Sequence, residues 1–522
     1  MGWSINFPSV QRSRLRSPAV LSTTRHRAKL IIYPTGLAWR QLRDDPRRAG
    51  RLALRLALRH APGRLRRRLD RTWLGTIAKP RPRDPRREAA DLRALLALPA
   101  AAQRPAAPVR GQGTAAGAVT RHFPVLHLVT NALPRTSAGY TVRTHQIALA
   151  QRAAGLTPHV VTRLGYPLAQ GVADTRQRVR VDGIAYHRLI PWLPPRDPAT
   201  AVTRAADRAD RLVEAVRPRV LHAASNHLNA AVALELRGRH GLPVVYEVRG
   251  FLEDSWLSRA AENTESAEFY QLTRELETRC MRAADHVVTL GAAMRDEIAE
   301  RGIDPAKITV VPNAVDDVFL QPLPDAGDLR ARLGLGTDAA VVGLTSSFYG
   351  YEGIDTLIEA AALLHDRGTP VRLVLVGDGP ERGTLERLAA DRGVDAVFTG
   401  RVPMSSVRHF HAVLDLFAVP RRADRVCQLV TPLKPIEAMA GGVPVIASDV
   451  RALREIVEPD VSGVLTLPED PEAWANSLES LIYSPEQRRK IGQAAREWVR
   501  AERTWRAVTA RCLTAYRELG VG

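Results

Sequence analysis

The chain has 522 residues and a formal net charge of +20, and its length predicts two or three domains. Three cysteines, Cys280, Cys427 and Cys512, lie far apart in the sequence, which argues against a disulfide framework and indicates a reducing compartment. No run of about 18 apolar residues predicts a membrane-spanning helix, and the N-terminus lacks the apolar core of a secretory signal, so we expect a cytoplasmic protein.

The positive charge is confined to the N-terminal quarter of the chain. Residues 1–122 contain 27 Lys+Arg and 6 Asp+Glu, a balance of +21, whereas residues 123–522 contain 48 and 49, a balance of −1. We therefore interpret residues 1–118 as a basic, arginine-rich extension. Its last part, residues 100–118, is rich in Ala, Pro and Gly and is typical of a linker.

One stretch of the extension, residues 47–60, has a helical period. Arg51, Arg55 and Arg59 fall on one stripe, and leucines cover most of the other side. Residues 47–74 could therefore lie on an anionic membrane surface with the apolar side down. They could instead pack on the body, be disordered, or precede the true start of the protein. Nonspecific nucleic-acid binding is the least favoured option, and we expect no specific nucleic-acid partner.

From Phe123 onwards the sequence alternates between short apolar runs and helical patterns, which predicts doubly wound parallel sheets. We place a first domain at residues 119–305, a second at 306–500, and a C-terminal helix at 501–522 that packs back towards the first domain. Predicted strands of the first domain are 125–130, 159–162, one or two within 179–189, 219–223, 244–248 and 286–290. Those of the second are 341–346, 372–376, 396–400, 414–419, 443–447 and 463–465.

The most informative stretch is residues 431–449, TPLKPIEAMAGGVPVIASD, which predicts a helix followed by a buried strand. Thr431 suits the N-cap and Pro432 the first helical position. Lys434 in the first turn opposes the helix dipole unless an anion is bound there. Glu437 lies one turn further on the same face, so the two side chains could hold a phosphate and a sugar hydroxyl. A surface Lys–Glu pair is the alternative.

This stretch resembles the donor-site helix and strand of the family 4 (group 1) glycosyltransferases, in a subset that carries T-P-L-K-P-x-E-A-M. Further segments resemble family motifs in the same order, namely residues 311–316 (P-N-G-V-D), 353–360 (G-x-D-x-L-I-x-A), 375–380 (L-x-G-x-G-P) and 398–402 (F-x-G-x-V). The resemblance is dense over residues 308–468 and looser over 123–300. It implies the GT-B fold, in which two doubly wound Rossmann-like domains face each other across a cleft.

The resemblance implies that the second domain binds a nucleotide-diphosphate sugar. Glu437 is expected to bind the ribose hydroxyls, Lys434 the phosphates, and Arg401 and Val402 to lie near the base. The other donor-binding candidates are at strand ends or in the donor-site segment: Ser347, Gly377, Gly379, Arg421, Arg422, Thr431, Pro432 and Leu433.

Two departures from the family pattern affect this site. Many relatives carry an Arg and a Lys in the loop before G-x-D-x-L-I, where Ser347 and Glu352 stand here. The first of the family's two paired glutamates falls on Leu429, which cannot bond a sugar hydroxyl. We do not interpret these departures as loss of activity. The cations expected to replace the lost pair are Lys434, Arg421 and Arg422.

In the first domain, Gly139 falls where the family has a glycine-rich loop under the donor phosphates. His222 ends a predicted strand where relatives often place a histidine that faces the reaction centre, although a core histidine is the alternative, and His227 competes for that role. The acceptor-side candidates are Arg143, His227, Glu247 and Arg249, of which Glu247 and Arg249 could form a purely structural pair.

Together these features predict a retaining glycosyltransferase that transfers a sugar from a nucleotide-diphosphate sugar to a hydroxyl of a glycan or lipid-linked acceptor. The expected setting is cell-envelope glycolipid or polysaccharide synthesis, in the cytoplasm or at the inner face of the membrane. His222, Lys434 and Glu437 are the expected catalytic residues. No cofactor and no metal are expected, because no D-x-D ligand set is evident. A nucleotide-sugar epimerase of similar architecture and a non-catalytic membrane-associated scaffold remain alternatives.

Overall fold

A computed structural model describes residues 85–98, 123–260 and 262–521. The first sheet has eight strands in the order β3-β4-β2-β1-β5-β6-β7-β8, and only β3 runs antiparallel to its neighbour. The strands are β1 (Pro124–Val129), β2 (Thr157–Thr162), β3 (Arg178–Val181), β4 (Ile184–Arg188), β5 (Val220–Ala224), β6 (Val244–Val248), β7 (His286–Thr289) and β8 (Ile308–Val310). The helices of this part are α1 (Pro85–Leu96), α2 (Gly139–Ala153), α3 (Pro198–Val216), α4 (His227–His240), α5 (Leu252–Leu257), α6 (Glu268–Ala283) and α7 (Ala292–Glu300).

Burial explains why this sheet is mostly parallel. Every residue of β5 and β6 is buried, so both faces of these strands are covered by helices and their sequences are apolar almost throughout. Helix α3 begins where the Asp197 side chain accepts a hydrogen bond from the Thr200 backbone N–H at 2.7 Å, and Pro198 occupies its first turn. Its buried alanines and valines form an apolar stripe, and the helix packs against α4 and α1.

The second sheet has six parallel strands in the order β11-β10-β9-β12-β13-β14. The strands are β9 (Ala340–Ser347), β10 (Val371–Asp378), β11 (Ala396–Gly400), β12 (Leu416–Val419), β13 (Val445–Ser448) and β14 (Val464–Thr466). The helices are α8 (Gly327–Arg332), α9 (Ile354–Asp366), α10 (Arg382–Asp391), α11 (Val407–Ala412), α12 (Arg425–Leu429), α13 (Lys434–Ala440), α14 (Arg451–Arg454), α15 (Pro471–Ile482), α16 (Pro485–Glu502) and α17 (Trp505–Glu518). The prediction of two doubly wound α/β domains is confirmed.

The chain crosses between the two sheets twice, and the crossings lie side by side. The Val315 backbone N–H donates to the Arg503 carbonyl at 2.8 Å, and Val315 forms a parallel bridge with Thr504. After the second crossing, α17 packs on α2 of the first domain. Trp505 and Tyr516 of α17 join the same buried cluster as Val125 of β1. The last helix of the chain therefore completes the core of the first domain.

Part of the N-terminal extension is folded. Helix α1 packs against α6 and α3, and its Ala89, Leu92 and Leu95 side chains are buried. The two leucines belong to the main apolar cluster of the first domain. The sequence analysis places no element here. The segment 47–74 lies outside the described residues, and no helix within the described ones is long and apolar enough to cross a membrane.

Two segments, residues 167–177 and 190–194, belong to a separate compact unit. Within it the buried side chains of Leu168 and Ile190 cluster, and a short 3-10 turn covers Leu168–Gln170.

The packing of α1 predicts that it stabilises the first domain. Leu92→Ala should lower the free energy of unfolding by about 2–4 kcal/mol, because it removes a buried side chain and leaves a cavity. Arg93→Ala on the exposed side of α1 is the matched control, since an exposed ion pair contributes roughly 1 kcal/mol or less. Chemical denaturation measures both. Equal stability of Leu92→Ala and wild type would contradict the packing of α1.

Candidate functional site

The carboxyl ends of the strands in both sheets border one cleft, as expected for ligand sites in open α/β sheets. A cavity of about 230 Å³ lies in this cleft. The first domain lines it with Gly139, Tyr140, Arg143, Arg249 and Leu290. The second domain and the segment before it line it with Asn313, Leu344, Thr345, Ser346, Glu352, Phe417, Ala418, Val419, Pro420, Arg421, Val430, Thr431, Pro432, Leu433, Lys434 and Pro435.

Two cations and a carboxylate meet on the second-domain wall. The Lys434 ammonium donates to Ser346 Oγ at 3.2 Å, and Arg421 Nη2 lies 3.3 Å from Glu352 Oε1. Burial lowers the pKa of Lys434, and Glu352 partly offsets this. Burial alone would raise the pKa of Glu352, but Arg421 and then Lys434 hold it below the usual range. The carboxylate is therefore ionised beside both cations at neutral pH.

Glu437 lies one helical turn beyond Lys434, next to the cavity lining, and is 9% exposed. No described residue donates a hydrogen bond to its carboxylate. Burial raises the pKa of Glu437 to about 7, and the positive charge of Lys434 opposes this shift. Neither carboxylate oxygen is among the fully buried atoms of the described residues that have no partner, so both remain acceptors that the hydroxyl groups of a ligand would reach.

The donor-site helix starts later than the sequence analysis predicts. Helix α13 begins at Lys434, and Thr431 is not its N-cap. The reason is Pro435, which in a helix starting at Pro432 would lack the N–H that bonds the Thr431 carbonyl and would clash with it. That carbonyl instead accepts a hydrogen bond from Asn313 Nδ2 at 2.9 Å. The hydroxyl of Thr431 is buried without a partner among the described residues.

The two glycines Gly377 and Gly379 do not line the cavity. A Cβ at Gly377 would lie 1.8 Å from the Ser346 carbonyl oxygen, and one at Gly379 would lie 2.4 Å from that of Phe348. These glycines allow two strand ends to approach each other. Gly139 does line the cavity, where a Cβ would lie 3.3 Å from Leu433 Cδ1.

Several further donor-side candidates lie away from the cavity. The Arg401 side chain is 81% exposed and 3.7 Å from Asp378, and Val402 packs on apolar clusters. Ser347 is the exposed last residue of β9. Arg422 contacts Asp355 instead of the cavity, so of the two adjacent arginines only Arg421 reaches it.

In the first domain a buried carboxylate holds two arginines. Arg143 Nε donates to Glu247 Oε1 at 2.8 Å, and Arg249 Nε donates to Glu247 Oε2 at 2.9 Å. Burial raises the pKa of Glu247, but Arg249 and Arg143 hold it well below its usual range. Glu247 is fully buried and does not line the cavity, whereas both arginines do. Its place is behind the cleft wall.

His222 does not face the cleft. Its side chain is fully buried, and Nδ1 is 2.6 Å from the hydroxyl of Tyr516 on α17. Nε2 lies 3.4 Å from Glu247 Oε2, an ion-pair distance without hydrogen-bond geometry. Both faces of β5 are buried, and the residue that covers His222 is Tyr516, from the far end of the chain. His227 is also buried, with Nδ1 3.1 Å from Glu277 Oε1.

The sequence analysis overlooked Asn313 and Tyr140 as cavity residues. Asn313 accepts from Arg143 Nη1 at 3.2 Å and donates to Thr431, so it joins the two walls. Its position inside the 311–316 motif was the available signal. Tyr140 follows Gly139, and no motif in the sequence marked it as a cavity residue.

The two domains and the cleft between them resemble solved structures. A sucrose-phosphate synthase from Thermosynechococcus elongatus superposes with a TM-score of 0.62 at 21% identity, over 76% of this chain and 99% of that one. Anabaena Alr3699/HepE in complex with UDP superposes with a TM-score of 0.58 at 19% identity, over 76% and 100%. These similarities confirm the GT-B fold.

The amino-acid sequence also matches two family models. Residues 325–498 match the family described as Glycosyl transferases group 1, and residues 138–314 match the Glycosyl transferase 4-like domain. The second cleft-forming domain therefore matches the group 1 model, and the first matches the 4-like model. A GDP-mannose-dependent alpha-(1-6)-phosphatidylinositol monomannoside mannosyltransferase of Mycobacterium tuberculosis is 31% identical over 245 residues, 46% of this chain. The chain spans 63% of the length of that relative.

The buried His222 predicts a pH-dependent stability. Burial lowers the pKa of His222, but Cys512 and Glu247 raise it, and the result is about 9 against an ordinary 6.5. A raised folded-state pKa gives stability that is complete below pH 6.5 and is lost as pH rises through 9. The melting temperature of wild type minus that of His222→Gln should therefore shrink over this window. His409→Gln, at an exposed site, controls for loss of an imidazole. A difference that stays constant with pH would contradict the charged state of His222.

Proposed function

We propose that this protein is a retaining glycosyltransferase that uses a nucleotide-diphosphate sugar. The observation that carries the proposal is the pair Lys434 and Arg421 on one wall of the cleft, next to the unpartnered carboxylate of Glu437. Cationic donors of this kind suit a diphosphate, and a buried carboxylate suits the hydroxyls of a ribose. The match of the second domain to the Glycosyl transferases group 1 model, and of the first to the Glycosyl transferase 4-like model, supports the same assignment.

In this mechanism the acceptor hydroxyl attacks on the face from which the phosphate leaves, and the leaving phosphate takes its proton. The protein stabilises the negative charge that develops on that phosphate, and the lysine and arginine are placed to do so. Because these side chains supply positive charge at the site, we propose that transfer needs no metal ion. His222 lies behind the wall, with Nε2 3.4 Å from Glu247 Oε2, and is not placed to contact the sugar.

The nucleotide and the acceptor are proposed as classes. One relative uses GDP-mannose and acts on a phosphatidylinositol mannoside, and one fold neighbour binds UDP. We propose a GDP- or UDP-sugar as donor and a hydroxyl of a glycolipid or polysaccharide as acceptor. A thermal-shift panel of UDP-, GDP- and ADP-sugars identifies the donor, because binding to the native state raises its melting temperature. Product analysis with a radiolabelled donor separates transfer from epimerisation, and no turnover at all would favour a scaffold.

Lys434→Ala should lower kcat/KM by roughly 10–1000-fold, because it removes a charge-assisted contact to phosphate and each decade corresponds to ~1.4 kcal/mol. The fold should survive, since the ammonium makes one hydrogen bond, to Ser346. Lys490→Ala on the exposed face of α16 is the matched control. The same assays run with excess EDTA should retain activity. Unchanged turnover in Lys434→Ala would mean that the phosphates bind elsewhere, and loss in EDTA that magnesium or manganese restores would refute the metal-free mechanism.

We also propose that the basic extension holds the enzyme on an anionic membrane surface, where a lipid-linked acceptor would be presented. The support is its charge of +21 against −1 for the rest of the chain. Each basic residue near such a surface contributes on the order of 1 kcal/mol, screened by salt.

In the full chain, changing Arg51, Arg55 and Arg59 to Gln should weaken binding to anionic vesicles and shift its salt dependence, while donor hydrolysis is unchanged. The matched control changes three exposed arginines of α3, Arg204, Arg208 and Arg211, to Gln. Co-sedimentation with anionic and neutral vesicles at two salt concentrations measures the difference. Equal loss in both triple variants, or no binding by the wild type, would contradict a specific role of the extension.

A further inference from the structure

Glu352 places a negative charge inside the wall that the proposed function assigns to phosphate. It ends a short 3-10 turn after β9, and its side chain lines the cavity together with Ser346 and Lys434. Arg421 Nη2 is 3.3 Å away, and Lys434 donates to the Ser346 hydroxyl beside it, close enough for the charges of Arg421 and then Lys434 to lower the pKa of Glu352 against the effect of burial. The carboxylate therefore contacts Arg421 directly and lies within the electrostatic reach of Lys434.

A purely structural ion pair would not need to stand in the cavity, and the neighbouring pair shows the contrast. Asp355 and Arg422 lie within three residues of Glu352 and Arg421, yet both are more than a third exposed and outside the cavity lining. A carboxylate inside an anion subsite repels phosphate at short range, so its presence there has a cost for the ligand. Its benefit must come when the ligand is absent.

We propose that Glu352 is a positioning residue that acts as the internal counter-ion of the phosphate subsite. In the empty cleft it balances two partly buried cations and holds the Arg421 guanidinium against the wall. When a nucleotide binds, the diphosphate takes over both cations and Glu352 becomes a repulsive neighbour. This inference rests on the proposed function, because it presumes that nucleotide phosphates occupy this wall.

The proposal has a consequence for turnover. Once the sugar has left, the nucleoside diphosphate has a terminal phosphate that carries more negative charge than the diphosphate of the donor. Glu352 therefore disfavours the product more than the substrate. It would thus speed product release and protect the site from inhibition by free nucleoside diphosphate.

The test compares Glu352→Gln with wild type in the full chain. Glutamine can still accept a hydrogen bond from Arg421 but removes the charge. Isothermal titration with UDP and GDP should show about tenfold tighter binding in the variant, and a smaller gain for the corresponding nucleotide sugar. Asp355→Asn is the matched control and should leave the affinity unchanged. Kinetically, kcat should fall if product release limits it, with stronger product inhibition.

A second measurement is the pH dependence of nucleotide binding, which a purely structural ion pair would not change. The charged groups that face Lys434 are Glu352, Arg421 and Glu437; burial lowers the pKa of Lys434, and the two carboxylates raise it. Without the Glu352 charge, the loss of nucleotide binding at alkaline pH should begin at lower pH. It should not shift in Asp355→Asn.

The outcomes separate this inference from the function beneath it. Suppose that wild type binds UDP or GDP and that Lys434→Ala weakens this binding. If folded Glu352→Gln then binds with wild-type or weaker affinity, the counter-ion role is refuted and the proposed function stands. If no nucleotide binds the wild type, the proposed function fails with it. If Glu352→Gln does not fold, Glu352→Asp replaces it in the test, because the side chain is one methylene shorter and holds the carboxylate further from the cations. It should bind nucleoside diphosphate more tightly than wild type, and equal affinity would overturn the proposal.

Discussion

The cleft depends on the buried pair of Arg143 and Glu247. Both side chains are almost fully inaccessible, and burying two charges is favourable only if their remaining hydrogen-bonding groups are also satisfied. Arg143 meets that condition outside its own domain. Nη1 donates to the Pro312 carbonyl at 2.9 Å, and Nη2 to the Val311 carbonyl at 2.7 Å. The ion pair therefore fixes the segment where the chain first leaves the first sheet.

The effect of this pair extends to the second domain through Asn313. The amide oxygen of Asn313 accepts from Arg143, and its amide nitrogen donates to the carbonyl of Thr431. Thr431 in turn precedes Lys434 by three residues, so a chain of hydrogen bonds that begins at Glu247 reaches the backbone just before the helix that carries the ammonium. Breaking a buried pair by removing one partner costs about 3–5 kcal/mol. Loss of Glu247 would consequently disturb the geometry of both walls.

The sequence was informative where local chemistry decides the outcome. Alternation of apolar runs and helices was sufficient to predict the two sheets, and Lys434, which its place in a first turn singled out, does line the cleft. Other features depend on contacts between distant segments. The partner of His222 is Tyr516, 294 residues downstream, and no local sequence pattern predicts a contact between them. Pro435 is different, because its position in the first turn could have placed the start of α13 correctly from the sequence.

The two walls of the cleft differ in the hydrogen-bonding capacity that they leave for a ligand. Arg143 donates its hydrogen bonds to Glu247 and the 311–313 segment. Arg249 donates to Glu247, Thr144 and the Tyr140 carbonyl. Lys434 uses one of three ammonium donors, and the Nε of Arg421 has no partner among the described residues. The Nε of Arg421 is itself buried, so the free donors that line the cleft on the second-domain wall are those of Lys434. A phosphate that enters the cleft should bind there, and the arginines of the first domain should keep the opposite wall in shape.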